Sequence, residues 1–548
     1  MSVVARFELV LLLLAVIIVL ELTARRLRLP PAAAFVLGGM ALALIPGTPD
    51  VELDPDLALV LFLPPLLLAS AFFTVWRDFR ANLRIILQLA VGAVAFTTLT
   101  VGIIAHLVAP ALPWAACFAL GAIVSPPDAV AAKAVLQGLR LPRRVVVLLE
   151  GESLVNDASG LVLFRLAVAA SLTGTFSATS AALSFVTLSV GGVLAGLAFG
   201  GIASVVLKRL REPTLGILGS VLMAWASYIG AEAIAVSGVL STVTCGLVMG
   251  WRQHAILTAT TRTQARAVWK VLVFVLESLI FILIGLSLRG ILSRLGMSGP
   301  GMHGPGMHDL GMHNLDDGPS ALFPAMGAIV GAVVLARFVW IFPATYLPRW
   351  FIPALRRRDP IPPLAVPLVM SWAGMRGVVS LAAALALPEQ FPGRDFILAT
   401  TFAVILATVL VQGATLAPLI LALRVGRFTQ AQTSMLTEAT ARARVAAAQL
   451  SVVAARSAMP DGSQRHPRLL EQYDYRARAA THYSEAEESL QGHRDAHFSV
   501  ILDAVAAGRA ELLRLHRSGE IHDSVLHALE EELDLDEMRA RQAIGNGA

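Results

Sequence analysis

Residues 148–164 read LLEGESLVNDASGLVLF, and residues 122–132 read AIVSPPDAVAA. Both place acids inside an apolar run, and the second adds two adjacent prolines. A charge at bilayer depth costs on the order of 3 kcal/mol or more, so an acid kept there points to function. Helical spacing sets Glu152 beneath Asn156 and Ser153 beneath Asp157, each pair at i,i+4 on adjoining strips of one face. Four oxygen-bearing side chains therefore converge, which is the ligand chemistry that hard monovalent cations require. A network that only glues helices would use Ser and Asn in the same way, but it leaves the two acids unexplained. Pro126 and Pro127 lack an N–H, and each ring clashes with the carbonyl four residues back. The carbonyls of Ala122 and Ile123 thus lose their helical donors and the helix must open. Freed carbonyls at this depth survive where protein or water satisfies them, and they can bind cations. Asp128 follows at once, at the start of an expected resumed half-helix.

A second interruption is expected in MSWAGMRGVVSLAAALALP at 370–388, where Gly374 and Gly377 flank Arg376. Glycine lets the backbone unwind or pack closely. An arginine so deep needs an acid, and the first candidate is Glu152, the second Glu277. The remaining deep charges are Lys133, Glu150, Arg165, Glu232 and Arg337. Lys133 and Glu150 lie near span ends and read as snorkelling to the interface.

The whole chain fits this membrane reading. It has 548 residues, 56% hydrophobic and 15% charged, with a mean hydropathy of +0.71, which excludes a soluble globule. A bilayer core of about 30 Å needs ~20 apolar helical residues. Thirteen runs qualify, two of them short: 7–23, 32–46, 57–75, 85–109, 114–136, 145–171, 181–207, 214–236, 237–250, 268–289, 321–344, 361–388 and 395–423. The expected fold is all-α and polytopic, with about 13 spans, the fifth and twelfth interrupted. Interruptions so placed suit an inverted-repeat secondary transporter. Alternate connections hold the Arg clusters, such as Arg140, Arg143 and Arg144 or Arg356, Arg357 and Arg358, while the opposite set holds Arg289, Arg294 and Arg394. By the positive-inside rule the N-terminus lies outside and the C-terminal tail in the cytoplasm. The net charge of +5 therefore reports topology and no nucleic-acid partner. Three Lys beside forty Arg suggest a GC-rich bacterial genome, hence a bacterial inner membrane.

Two bodies are expected: a transmembrane domain over 1–426 and a helical, soluble tail over 427–548. The tail carries 14 Arg against 18 acids and seven of the twelve His. Histidine titrates near neutrality, so the tail could sense pH, although solvated surface histidines are the commoner use. Between spans ten and eleven, residues 296–318 repeat GMHGPGMHDLGMHN. Weak copper or zinc binding there is conceivable, and a biased disordered loop explains it more simply. Cys117 and Cys245 read as buried small residues.

With these residues in view, the chain resembles the monovalent cation:proton antiporter-1 family, the bacterial relatives of the sodium/proton exchangers. The resemblance runs through residues 1–426 and rests on residues 63–84, 122–132, 148–164, 238–250, 371–388 and 410–420. It implies a thirteen-helix, dimeric transporter in which an elevator-like movement carries the ion site across the membrane. It implies that Asp157 binds Na+ and proton alternately, and that Asp128, Ser153, Asn156 and the backbone at Pro127 supply oxygens. It further implies that Glu152 and Arg376 hold the core together, and that Asn156, in place of a second acid, marks electroneutral exchange. Two departures stand out: Pro127 where a threonine is frequent, and Ala69 where some members carry an acid.

The physical logic is competition for one carboxylate, since proton and cation exclude each other there. If only loaded forms cross, exchange follows from the two gradients without further energy. No G-x-x-x-x-G-K-[ST] signature marks a nucleotide-driven pump, so neither an enzyme nor a cofactor is expected. The rival readings are a K+/H+ antiporter, a gated cation channel that passes current freely, and a membrane ion sensor that signals through its tail.

Overall fold

The computed structural model describes residues 3–27, 29–45, 55–128, 132, 136, 139, 141–175, 177–294, 319–428, 438–460, 463–485, 491–518 and 520–545. Lys133 and the Met/His repeat over 296–318 lie outside the described residues. Most of the half-helix expected after Asp128 does as well. The chain divides into two compact units, Met1–Gln430 and Ala431–Ala548.

Among the described residues there are helices and no strands. The first unit holds α1 (Val3–Leu27), α2 (Pro31–Leu44), α3 (Pro55–Phe73), α4 (Trp76–Val108), α5 (Trp114–Val124), α6 (Arg143–Thr173), α7 (Ala178–Arg209), α8 (Pro213–Ala233), α9 (Gly238–Ile256) and α10 (Ala259–Leu286). It continues with α11 (Leu288–Arg294), α12 (Pro319–Phe351), α13 (Pro353–Arg358), α14 (Ala365–Trp372), α15 (Val378–Leu385) and α16 (Arg394–Ala422). Hydrocarbon offers the backbone no partners, so each segment must satisfy its own N–H and C=O groups. The ends are built accordingly. Ser177, Ser237 and Thr258 cap α7, α9 and α10 by accepting the N–H of Ser180, Leu240 and Thr261, and Gly174 closes α6 in the left-handed region.

Each of the thirteen apolar runs carries helix. Eight helices are long and apolar enough to cross a membrane, and α2, the apolar part of α3 and α5 are shorter. The long helices turn apolar side chains outward, as Leu183, Val186, Val190, Leu194, Leu197, Ile202 and Val205 do along α7. A soluble protein rarely leaves such a stripe uncovered, whereas a bilayer covers it. α9 packs along α7 and α3, α2 along α10, and α5 lies between α4 and α6. Two helices contain a π-helical stretch, Gln88–Ala93 in α4 and Thr408–Gln412 in α16.

The run over 361–388 is interrupted as its glycines predict: α14 stops at Trp372 and α15 starts at Val378. Asp359 fastens the approach to α14. Its carboxylate accepts two hydrogen bonds from Arg144 at the start of α6, at 2.6 and 2.8 Å, and one from Arg349 at the end of α12, at 2.6 Å. Partial burial pushes the Asp359 carboxyl up, yet the bonds and charges of the two arginines outweigh it and hold it below the usual carboxylate range.

The second unit holds α17 (Glu438–Ser457), α18 (Pro467–Glu485), α19 (Gln491–Arg517) and α20 (Asp523–Gly545). α17 packs on α18, and α19 on α20. Arg509 ties the latter pair by bridging to Asp534 at 2.5 Å and Glu537 at 2.8 Å, and His516 meets Asp523 at 2.5 Å.

Candidate functional site

α5 ends at Val124 because the next turn would need N–H groups that Pro126 and Pro127 do not have. The Ser125 hydroxyl donates to the freed Ala122 carbonyl at 3.1 Å. The carbonyls of Val124, Ser125 and Pro127 find partners from outside the helix. Arg376 Nε donates to Val124 O at 2.8 Å and its Nη2 to Ser125 O at 3.4 Å. Asn156 Nδ2 donates to Pro127 O at 2.6 Å. The Asp128 N–H donates to Met375 O at 2.7 Å, joining this break by main-chain atoms to the one between α14 and α15. Both interruptions therefore meet, and α6 runs past their junction.

Bare backbone makes this approach possible at two positions. A Cβ on Gly377 would collide with the Asp128 carboxylate, and one on Gly160 of α6 would collide with the Pro126 ring. A side chain at Gly377 would displace the Asp128 carboxylate, and one at Gly160 would displace the Pro126 ring.

Asp157 lies on α6, 8% exposed, within coulombic range of Asp128. Its carboxylate has no hydrogen-bond or ion-pair partner among the described residues. Asn156 is fully buried and its Oδ1 lacks a partner, while its amide nitrogen is committed to Pro127. Ser153 and Asp128 are half-buried, and each is engaged in an interaction. The structure thus brings Asp157, Asn156, Pro127 and Asp128 to one junction, with Ser153 a turn away on α6. The Pro127 carbonyl accepts from Asn156 with one lone pair, which leaves its second lone pair for another partner.

The expected Glu152–Arg376 pair is corrected. Glu152, 1% exposed, is gripped by both terminal nitrogens of Arg337 from α12, at 2.7 and 2.8 Å, and Arg337 Nε also donates to Met370 O at 3.1 Å. The planar fork of Arg337 matches both carboxylate oxygens at once, which leaves no lone pair in line for a second bidentate arginine. Arg376 is directed into the α5 break. It donates there to the stranded carbonyls, to its own neighbour Gly374 O, and through its main-chain N–H to Thr408 Oγ1 in α16 at 3.0 Å. Burial of a charge demands such a full set of partners. Sequence reasoning named Arg337 as deep without pairing it. The available signal was its position in a run of small and apolar residues with no acid on its own helix within reach.

Among the described residues no group of three His, Cys, Asp or Glu forms that could hold a metal ion. The oxygens at the junction belong to two carboxylates and a side-chain carbonyl.

Comparison with known proteins gives consistent results. The family model described as sodium/hydrogen exchanger, transmembrane, matches residues 10–422. An uncharacterised Na+/H+ exchanger of Mycobacterium tuberculosis is 31% identical over 539 residues, 96% of this chain and 95% of that protein. The sodium, potassium, lithium and rubidium/H+ antiporter of Bacillus subtilis is 32% identical over 425 residues, 74% of this chain and 60% of that protein. Among solved structures, the sodium proton antiporter MjNhaP1 of Methanocaldococcus jannaschii aligns with a TM-score of 0.60 at 19% identity, over 79% of this chain and all of that one.

Proposed function

The chain belongs to the sodium/hydrogen exchanger family, and on that premise we propose that it exchanges Na+ for H+ at Asp157. The observation that carries this reading is a buried acid with no partner among the described residues, beside a junction of broken helices that offers oxygens. A carboxylate away from water is neutralised either by a proton or by a cation, and it cannot hold both. Asp128, Ser153 and the free Asn156 Oδ1 complete the cation shell in this reading, while Pro127 sets Asn156 in place. Asn156 at that position supports an electroneutral, one-for-one exchange.

Li+ and K+ are alternative cargo, in keeping with the four cations in the name of the B. subtilis relative. Thirteen crossings related by an inverted repeat, a homodimer, and an elevator-like movement of the junction complete the proposal. The arginine-rich connections support a cytoplasmic side for the tail and for the Asp359 cluster; in this reading the tail serves as a regulatory module, and the exchanger works in pH and sodium homeostasis of a bacterial inner membrane. Dye-reported proton flux in reconstituted vesicles, with Na+, K+ and Li+ offered in turn, tests the assignment. Asp157→Asn is expected to abolish cation-dependent proton movement, and full exchange in that variant would overturn the role of Asp157.

A further inference from the structure

Two deep charges have no part in the ion site, Arg165 in α6 and Glu232 at the end of α8. They meet at 3.1 Å. Glu232 is fixed by its other oxygen, which accepts the Gly238 N–H at 3.1 Å in the turn from α8 into α9. A narrow cleft lies here, lined by Ala158, Leu161, Val162 and Arg165 of α6, by Leu188 of α7, and by Glu232, Ser237 and Val239 around that turn. Ala158 follows Asp157 in the chain, and Leu161 stands one turn beyond it on the same helix. Arg165 lies two turns beyond it, roughly 12 Å along the helix axis. From Arg143 at the arginine-rich end of α6 the distance to Arg165 is about 33 Å, the full thickness of a bilayer core. The pair therefore stands at the water boundary opposite the arginine-rich connections, and both side chains are partly exposed, 52% and 31%.

We propose that Arg165 and Glu232 form the outer gate of the exchanger, a bridge across the cleft that shuts Asp157 off from the side opposite the arginine-rich connections. The inference rests on the antiport reading of Asp157, because alternating access needs one side closed while the other is open. The strength of the bridge suits the task. A partly solvated ion pair is held weakly and can form and break in every cycle. The buried Glu152–Arg337 pair cannot, since severing it would leave a charge uncompensated.

The test uses the full-length chain with Val162→Cys in the cleft, labelled from outside intact cells by a membrane-impermeant maleimide. Cys117 and Cys245 are fully buried and give a low background. Glu232→Gln removes the charge and keeps an acceptor for the Gly238 N–H, and it is expected to raise the labelling rate several-fold, as is Arg165→Gln. The exchanged pair, Arg165→Glu with Glu232→Arg, is expected to return labelling to the parent rate. Unchanged labelling in Glu232→Gln would overturn the gate, as would an exchanged pair that labels as fast as the single variants. Labelling needs no ion gradient, so a failed gate is distinguishable from a failed antiport assignment, which the Asp157→Asn flux measurement reads separately.

Discussion

Arg337 and Arg376 are both deeply buried, 3% and 1% exposed, yet they hold different kinds of partner. Arg337 neutralises an acid and Arg376 saturates carbonyls. Removing Arg337 leaves Glu152 as an uncompensated buried charge, which costs about 3–5 kcal/mol. Arg337→Ala is thus expected to lower the thermal unfolding midpoint of the detergent-solubilised protein sharply. Arg337→Lys should recover little, because a point charge cannot reproduce the bidentate fork. An alanine variant as stable as the parent would contradict the pairing. Asp157, Asp128, Asn156 and Glu152 were legible because polar residues in an apolar run are conspicuous. The choice between two arginines was not, since the partner of Glu152 is 185 residues away and depends on which guanidinium faces it.

The two interruptions follow from local chemistry that the sequence displays openly, adjacent prolines in one and paired glycines in the other. That they touch through a main-chain bond was not written in either, and neither were the π-helical stretches in α4 and α16. Close contact between the breaks depends on Gly377. Gly377→Ala would force the Asp128 carboxylate away, and the expected outcome is a folded, monodisperse protein whose cation-dependent proton flux is strongly reduced. Normal flux would show that the approach is dispensable. The stretch leading into α14 is fastened by Asp359, whose folded carboxyl lies below its ordinary value. A depressed value means that its stabilisation is present above the ordinary aspartate range and is lost as pH falls through the folded value. Asp359→Asn is therefore expected to lower the unfolding midpoint at neutral pH, with the gap to the parent narrowing as the pH approaches that lower value. A gap independent of pH would rule the linkage out.

Taken together, the chain has an apolar helical unit over Met1–Gln430 and a second helical unit over Ala431–Ala548. The number of crossings is less directly read from length, because eight helices meet the full requirement and the broken or short ones do not. Function in a transporter concentrates in such imperfect helices, so hydropathy is least informative where the site lies. If the tail regulates exchange, deleting residues 431–548 should preserve flux and shift its pH profile. A truncated chain with an unaltered profile would place the tail outside regulation.

The bond from the Asp128 N–H to the Met375 carbonyl is made of atoms that every residue but proline supplies. A replacement at position 375 leaves its acceptor intact, and at position 128 only proline removes the donor. Side chains around the junction can thus drift and retune cargo preference over generations while the scaffold beneath them persists. Vulnerability to inherited damage concentrates instead at places where any bulk at all is excluded.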